Sequence, residues 1–456
     1  MTKTTIAGGV LAATLIAAAL SFAVRHRTGG QDVVPSAPAQ DATSPSTAPM
    51  AAGEVHPGFL FGRVTTLGGA TYEGRLRWGG NQEAFWGDFF NGRKDENPWV
   101  VHVPPERMPR ERRPFSVFGI EIGHREPEVD LVRLFMARFG DIARIEARGG
   151  DVRVTLKSGA VFDLDRLEAS DFDDGVRVWD VQHGVVDLDS SRIRAIELLP
   201  AGSSGAAPSR LYGTVRTQHG EFTGFVQWNR EKCVGTDELD GRTGAGEQRL
   251  RFDSIRSIAR RSSDSSLVTL TDGREIALSS TSEAGDGNRG LYVDDPRYGR
   301  VLVSWNAFDR VDFSPGGGGP VYGDFPPGRP LTGSVTTRNG RRLAGRLVYD
   351  LDESEITETL DAPSQGVDYT IPFGLIASVV PAGREDRGAA RARVTLHSGE
   401  ELKLERGGDL GERNAGVLIF VDSRTGPEYV QWADIDRVDF ERPQAFYPPL
   451  AGRHPD

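Results

Sequence analysis

The feature that most constrains the fold is an internal repeat running through residues 58–441. Three blocks each open with an alternating run, a Gly-containing turn and a second alternating run ending in an aromatic residue, at 62–78, 213–228 and 333–349. A second pattern of this kind begins midway through each block, at Val154, Val268 and Val394. Alternation around a Gly turn predicts a β-hairpin. We therefore expect six related β-units, arranged as three pairs.

Each half-block closes with large residues spaced three apart. The most similar copies are SWNAFDRVDF at 304–313 and QWADIDRVDF at 431–440, where Val311 and Val438 take the same position. One half-block keeps the pattern only in part and has Ser190 in the aromatic position. The spacing predicts one 3₁₀ turn followed by a final short strand. In that strand Val faces the core and Arg and Asp face solvent, and the preceding Trp is also expected in the core.

This plan resembles the SH3-like barrel, and the first half-blocks are similar to the first motif of its Sm-like subclass. The pattern V-x-T-x-x-G-x-x-x-x-G-x-L occurs at 64–76 and at 335–347. The resemblance implies an all-β fold of six small SH3-like barrels in three pairs. No Sm-like RNA-binding residue carries over, because the Arg-Gly position reads Asn306-Ala307 or Ala433-Asp434. A six-bladed β-propeller is the alternative, although Gly-rich linkers break the chain after each pair.

Shifts in composition divide the chain into segments. Residues 4–24 are uncharged and long enough to cross a bilayer, which predicts an N-terminal transmembrane helix, with cleavage near Ala23 as the alternative. Pro, Ala, Ser and Thr dominate the next segment, which predicts a disordered stalk. The expected segments are 1–30 (anchor or signal), 31–57 (stalk), 58–200 (block 1, with an insertion at about 86–138), 209–314 (block 2), 328–441 (block 3) and 442–456 (Pro-rich tail).

The insertion distinguishes block 1 from the other two blocks. It is rich in Pro and Arg, and we interpret it as a family-specific loop. Near its end, Leu131, Leu134, Phe135 and Arg138 fit the helical period, which favours a short amphipathic helix over a strand.

Charge and motif content narrow the function. The chain has 65 acidic and 54 basic residues, a net charge of −11, so phosphate backbones are repelled and no nucleic-acid partner is expected. Cys233 is the single cysteine, which excludes an intramolecular disulfide and a cysteine metal cluster. No zinc-protease, nucleophile-elbow or phosphate-loop pattern occurs in the sequence. We therefore expect no enzyme, no cofactor and no metal.

Acidic, Gly-rich stretches recur before the third strand of each second half. They read DFDDG at 171–175, EAGDGN at 283–288 and GGDLGERN at 407–414, and each leads into a strand that ends in Asp. Oxygen ligands around Gly can bind calcium, but no complete twelve-residue loop is present. Asp, Asn and Gly also favour ordinary turns, which is the preferred interpretation.

The candidate ligand-binding residues combine aromatic rings with carboxylates. They are Trp78, Glu83, Trp86, Trp228 and Glu231. An aromatic ring beside a carboxylate can stack on a sugar and hydrogen-bond to it, although core packing at a recurring position is the stronger interpretation. Exposure of the tryptophans would favour a carbohydrate site.

These patterns together predict a non-enzymatic membrane-anchored envelope protein. A single-pass helix would hold the tandem repeats outside the cytoplasm, in the periplasm, as a protein-interaction or scaffolding body. The expected partner is an unknown envelope protein or a cell-wall glycan. The alternatives are a carbohydrate or cell-wall binding module, and an enzyme with its site in the insertion.

Overall fold

The computed structural model describes residues 58–446 except 80–81, 108–112, 118–119, 126–133, 168, 202–207, 280–281, 317–318, 384–390 and 423–424. For 113–117 and 120–125 it describes the backbone. All these residues belong to one compact unit. Within them there is no helix long and apolar enough to cross a membrane. The predicted anchor, stalk and most of the tail lie outside the described residues.

Strands make up most of each block. In block 1 they are β1 (Phe61–Thr66), β2 (Thr71–Trp78), β3 (Phe89–Arg93), β4 (Arg113–Val117), β5 (Ile120–Arg125), β6 (Leu134–Arg138), β7 (Ile142–Arg148), β8 (Asp151–Leu156), β9 (Val161–Asp165), β10 (Val176–Asp180), β11 (Gly184–Leu188) and β12 (Ile193–Leu198). The helical turn α1 (Ser170–Asp173) precedes β10.

Blocks 2 and 3 follow the same plan. Block 2 has β13 (Tyr212–Thr217), β14 (Gly220–Gln227), β15 (Glu238–Thr243), β16 (Gly246–Arg251), β17 (Ile255–Arg260), β18 (Ser265–Leu270), β19 (Glu275–Ser279), β20 (Leu291–Asp295), β21 (Gly299–Val303) and β22 (Phe308–Phe313). Block 3 has β23 (Thr332–Thr337), β24 (Arg342–Tyr349), β25 (Thr359–Ser364), β26 (Val367–Pro372), β27 (Ile376–Val380), β28 (Ala392–Leu396), β29 (Glu401–Leu404), β30 (Val417–Phe420), β31 (Glu428–Val430) and β32 (Ile435–Phe440).

These strands form three large antiparallel sheets and two hairpins. The sheet orders are β11-β10-β2-β1-β12-β7-β8-β9, then β16-β15-β19-β18-β17-β22-β13-β14-β20-β21-β26-β25, and β29-β28-β27-β32-β23-β24-β30-β31, with β3-β6 and β4-β5 as separate pairs. The all-β class is therefore confirmed.

The two halves of block 2 exchange their first hairpins. The closing strands β17 and β22 pair at the centre, where Ile258 lies opposite Val311. From β22 the sheet continues through β13 and β14, the first hairpin of the other half, to β20 and β21. From β17 it continues through β18, β19, β15 and β16. Each side thus takes its closing, third and fourth strands from one half and its first hairpin from the other.

This exchange differs from six separate barrels, which the structure does not show. None of the sheets closes on itself among the described strands, and the large sheets hold eight or twelve strands. Alternation predicts each hairpin, but it does not specify which strand lies beside that hairpin in the sheet, because the first hairpins of both halves present similar apolar faces. Interleaving lets two small halves share one core, which a single half of this length could hardly build alone.

The closing motifs have the predicted form, except that residues 305–307 of the copy at 304–313 make an ordinary turn. Five of them contain a 3₁₀ turn, at Phe139–Asp141, Ser190–Arg192, Phe252–Ser254, Phe373–Leu375 and Trp432–Asp434. Val311 and Val438 are fully buried in β22 and β32. Their Arg and Asp neighbours pair on the opposite face, for example Arg437 Nε with Asp439 Oδ1 at 2.6 Å.

The predicted helix near the end of the insertion is wrong for residues 134–138. Leu134–Arg138 forms strand β6, which pairs with β3 and places Phe135 opposite Gly92. Leu131 lies outside the described residues. Because Phe135, Ala137 and Arg138 are all buried, the segment matched a helical period by chance. The extra segment of block 1 therefore lies between β3 and β6.

Two large cores fill most of the described unit, and two smaller apolar clusters lie beside them. One large core belongs mainly to block 1, and the other runs continuously through blocks 2 and 3. The shared core follows the sheet, because β21 of block 2 pairs with β26 of block 3. Phe225 of block 2 and Phe325 of the following linker pack into the core of block 1.

Candidate functional site

A recurring joint connects the second strand of each block to the acidic, Gly-rich stretch of its second half. A buried aromatic ring at the end of that strand donates a hydrogen bond to a backbone carbonyl in the acidic stretch. The three pairs are Trp78 Nε1 with the Asp171 carbonyl, Trp228 Nε1 with the Glu283 carbonyl at 3.0 Å, and the Tyr349 hydroxyl with the Asp409 carbonyl at 3.1 Å. All three rings are fully buried.

The carboxylate of the same acidic residue completes the joint. It accepts the backbone N–H of a residue in the third strand of the first half. The pairs are Asp171 with Asn91 at 2.7 Å, Glu283 with Asp240 at 2.9 Å, and Asp409 with Asp361 at 2.6 Å. The aromatic positions and the acidic stretches, which look like two separate motifs in the sequence, are therefore one structural connection. We call each of them an aromatic joint.

The Asp residues that end the following strands also bind backbone. Asp180 accepts the N–H groups of Glu73 at 2.7 Å and of His183 at 2.8 Å. Burial favours its neutral form, but these donors outweigh burial and lower the pKa of Asp180 to about 2. Asp295 likewise accepts from Thr223 N at 2.8 Å. In the part of the chain with described side chains, no three His, Cys, Asp or Glu are placed to hold a metal ion.

The predicted ligand-binding residues do not form one surface. Trp78, Trp86 and Trp228 are 0%, 3% and 0% exposed, so their rings offer no face on which a sugar could stack. Trp86 lies beneath the Arg138 guanidinium, 5.2 Å from its ring centroid. Glu231 is paired with Arg289 at 3.0 Å, with both side chains roughly half exposed. These positions therefore give no support to the carbohydrate alternative.

Glu83 lies in a buried junction between blocks 1 and 2. Its Oε1 is 3.0 Å from Arg77 Nη1 and accepts a contact from the Cys233 thiol at 3.8 Å. Burial raises the pKa of Glu83, and the nearby arginines oppose that shift. Burial and Glu83 together raise the pKa of the Cys233 thiol well above its usual value. A neutral, buried thiol is a core residue and a poor nucleophile.

Each block also has a carboxylate at the turn before its third strand, and this carboxylate links the blocks. One oxygen accepts two backbone N–H groups of its own turn, as Asp88 does from Glu83 at 2.9 Å and from Ala84 at 3.0 Å. The other oxygen faces a cation from a different block. These inter-block pairs are Asp88 with Arg300 at 3.1 Å, Asp237 with Arg77 at 4.0 Å, and Glu358 with Lys94 at 3.3 Å.

The third of these pairs is an enclosed cation site between blocks 1 and 3. Lys94, 8% exposed, also binds Asp352. Burial lowers the pKa of Lys94, but Glu358 and Asp352 more than compensate and raise it above its usual value. The sequence does not identify these junctions, because Lys94 and Asp352 are 258 residues apart. The one feature of the sequence that marks these junctions is an acidic residue nine or ten positions after the aromatic residue of each aromatic joint.

Block 1 differs from the other two blocks in its exposed apolar side chains. Seven large apolar residues are well exposed among the described side chains, and all lie in block 1. At three of these positions the other blocks have exposed polar or charged residues. The equivalent sets are Leu67, Gln218 and Arg338; Leu134, Glu247 and Asp368; and Val161, Glu275 and Glu401. Leu67, Leu134 and Val161 are 66%, 79% and 51% exposed. We call these three residues the block 1 apolar positions.

The fold and its aromatic joints define an all-β repeat protein of three blocks, each built from two interleaved halves. No family model matches the chain, and no curated protein or solved structure matches it.

Proposed function

We propose that this chain is a non-enzymatic, membrane-anchored envelope protein whose three blocks form a protein-interaction or scaffolding body. The uncharged segment 4–24 and the Pro-rich stalk support the anchor. The observation that carries the interaction role is the set of block 1 apolar positions. Leu and Val there stand at positions where the other blocks have polar or charged residues, and exposed apolar side chains favour contact with a protein partner.

The buried junctions support the scaffolding aspect. Lys94 binds carboxylates of block 3, and Arg300 binds Asp88 from block 2, so block 1 is connected to both other blocks. Paired buried charges fix relative orientation, because removing either partner leaves an uncompensated charge inside the protein. A body fixed in this way can present block 1 in a defined orientation.

A site-specific photo-crosslinking experiment tests the interaction role. A photoreactive amino acid replaces Val161 in the full-length protein expressed in its native envelope, and the matched control places the same group at Glu275 on the equivalent strand of block 2. We expect a discrete crosslinked partner from position 161 and not from position 275. The Leu134→Glu change, which introduces the block 2 residue, should abolish that crosslink without altering the melting temperature. Equal labelling from both positions would contradict the proposal.

Protease protection tests the location. In cells whose outer layers have been opened, protease added from outside should digest the body while a cytoplasmic marker survives. Survival of the body under the same conditions would place it inside the cytoplasm and exclude the envelope assignment.

A further inference from the structure

Blocks 2 and 3 are joined by a strand pairing that occurs once between blocks among the described strands. The fourth strand of the second half, β21, pairs antiparallel with β26, the fourth strand of the next first half. In this register Arg300 lies opposite Thr370. The approach is close, since a Cβ added at Gly299 would lie 2.6 Å from the Thr370 carbonyl oxygen.

Among the described strands, the same two edges recur elsewhere without a strand partner. The counterparts of β21 are β11 and β31, and those of β26 are β6 and β16. Because the residues of β31 and β6 are mostly buried, the exposed edges are β11 of block 1 and β16 of block 2. Each is the last strand of its sheet in the described part of the chain. A Cβ added at Gly184, the counterpart of Gly299, would meet nothing within 4 Å, and the same holds at Gly246. Among the described residues, nothing therefore occupies the space beside Gly184 or Gly246.

We propose that β11 of one molecule pairs with β16 of a second copy of this chain, in the register that β21 and β26 use. Transferring that register places Val185 opposite Arg249 and Asp187 opposite Glu247. Val185 is 49% exposed and the Arg249 side chain 73% exposed, so both are accessible. An edge strand presents a row of backbone N–H and C=O groups with which a further strand can pair, and this favours a strand as the occupant over a globular surface.

The side chains along the two edges suit this pairing. Asp187 is already paired with Arg177 of β10 at 2.7 Å, and Glu247 lies 3.8 Å from Arg242 of β15. Asp187 and Glu247 are like charges opposite one another, which disfavours the pairing, but each already has an arginine beside it on its own sheet that offsets the repulsion. The Arg249 alkyl chain can cover Val185 across the ladder. Neither edge contains a Pro, a Lys or a bulge, three of the devices with which proteins protect exposed edges.

The geometry also sets the type of assembly. Because β11 and β16 are different surfaces, the contact is heterologous and leaves one free edge of each kind on every added molecule. The result is an open chain of molecules whose length increases with concentration. This contact uses β11 and β16, and it is independent of the block 1 apolar positions.

Disulfide trapping between two full-length variants tests the register. Val185→Cys and Arg249→Cys are mixed under mild oxidation, because opposite residues of antiparallel strands fall within disulfide range. We expect a crosslinked dimer in the mixture. The matched control pairs Val181→Cys with Arg249→Cys, since Val181 is 68% exposed in the turn before β11 and lies outside the proposed ladder. Crosslinking of Val185→Cys to itself would assign β11 to a second β11 and overturn the choice of β16.

Sedimentation measurements on full-length protein test whether the contact forms without a crosslink. The wild type should sediment as progressively larger species as concentration rises. Val185→Lys adds an edge charge and should reduce the association constant by at least tenfold, while Val181→Lys should leave it unchanged. A wild type that remains monomeric over the whole range and gives no trapped dimer overturns the proposal. Association that both Lys variants retain shows a contact elsewhere and overturns it equally.

Discussion

The aromatic joints of blocks 1 and 3 make the same backbone hydrogen bonds. The joint of block 1 is surrounded by amide side chains, whereas that of block 3 is surrounded by carboxyl groups. In block 1 the Asp171 carboxylate is bound by the Asn91 side chain, at 2.8 Å. The position of Asn91 is Asp361 in block 3, and that of Gln82 is Glu353. Two amides are thus replaced by two carboxyl groups around a third, Asp409. The connection is part of the fold, whereas the charge at this position varies from block to block.

The consequence for the acidic groups of block 3 is a shift toward the protonated form. Burial raises the pKa of Asp361 to about 6. Burial and neighbouring acids, including Asp361 itself, raise the pKa of Asp409 well above its usual value. Burial, Asp352 and Asp409 do the same to Glu353. Block 1 provides a cation beside this group, because Lys94 binds the neighbouring acids Asp352 and Glu358.

The largest expected effect comes from removing that cation. Lys94→Met leaves buried carboxylates without their partner, which should lower the free energy of unfolding by about 3–5 kcal/mol. The matched control is Lys232→Met in block 2, where Lys232 is 27% exposed and lies 3.4 Å from Glu283. We expect the control to lose about 1 kcal/mol, because solvent compensates the exposed site. Urea unfolding at pH 7 measures both, and equal losses would show that block 3 does not depend on block 1.

A double substitution in block 3 tests the charge difference itself. Glu353→Gln with Asp361→Asn installs the amides of block 1. Because the pKa of Asp361 is raised in the folded protein, the folded state binds this proton more tightly, so stability is full below about pH 4 and is lost as pH rises through about 6. The double variant should therefore gain about 2 kcal/mol at pH 8 and little at pH 4.

Urea unfolding of the wild type and the double variant between pH 4 and pH 8 measures this difference in stability. Asn91→Asp is the reverse change in block 1, and it should introduce a loss of stability with rising pH there. A wild type and a double variant with parallel pH curves would show that the acids of block 3 titrate as ordinary surface groups.

The sequence specifies the repeated strands and turns of each block, but it does not specify the contacts between them. The closing strands were predictable because Trp432, Ile435 and Val438 repeat a local spacing, and the local chain alone produces the 3₁₀ turn and the strand that follows. The exchange of hairpins was not predictable, since similar alternating strands can pair in more than one order. The junctions depend on distant pairs such as Cys233 and Glu83, 150 residues apart. Nothing local to either residue indicates its partner.

The same difference between local patterns and distant contacts explains the outcome of the ligand-site prediction. Trp78 and Trp228 recur at one position, and a recurring aromatic position in a small β-unit is occupied by a core residue more often than by a binding residue. The carboxylates that follow them in sequence belong to the turns and junctions between blocks. The sequence therefore identified positions that matter, but it could not show that their partners are backbone groups.

The smallest effect concerns the aromatic ring of block 3 and distinguishes its joint from that of block 1. Tyr349→Phe removes the hydroxyl donor to the Asp409 carbonyl, yet Asn414 Nδ2 still donates to that oxygen at 2.6 Å. One neutral hydrogen bond is worth about 1 kcal/mol, and a carbonyl that keeps another partner should lose no more than this. Combining Tyr349→Phe with Asn414→Ala removes both donors and should cost more than the sum of the single changes, because the buried carbonyl then has neither. Equilibrium unfolding of the four proteins in the cycle measures this coupling. Additive losses would mean that water reaches the carbonyl, and that the joint of block 3 is more open than that of block 1.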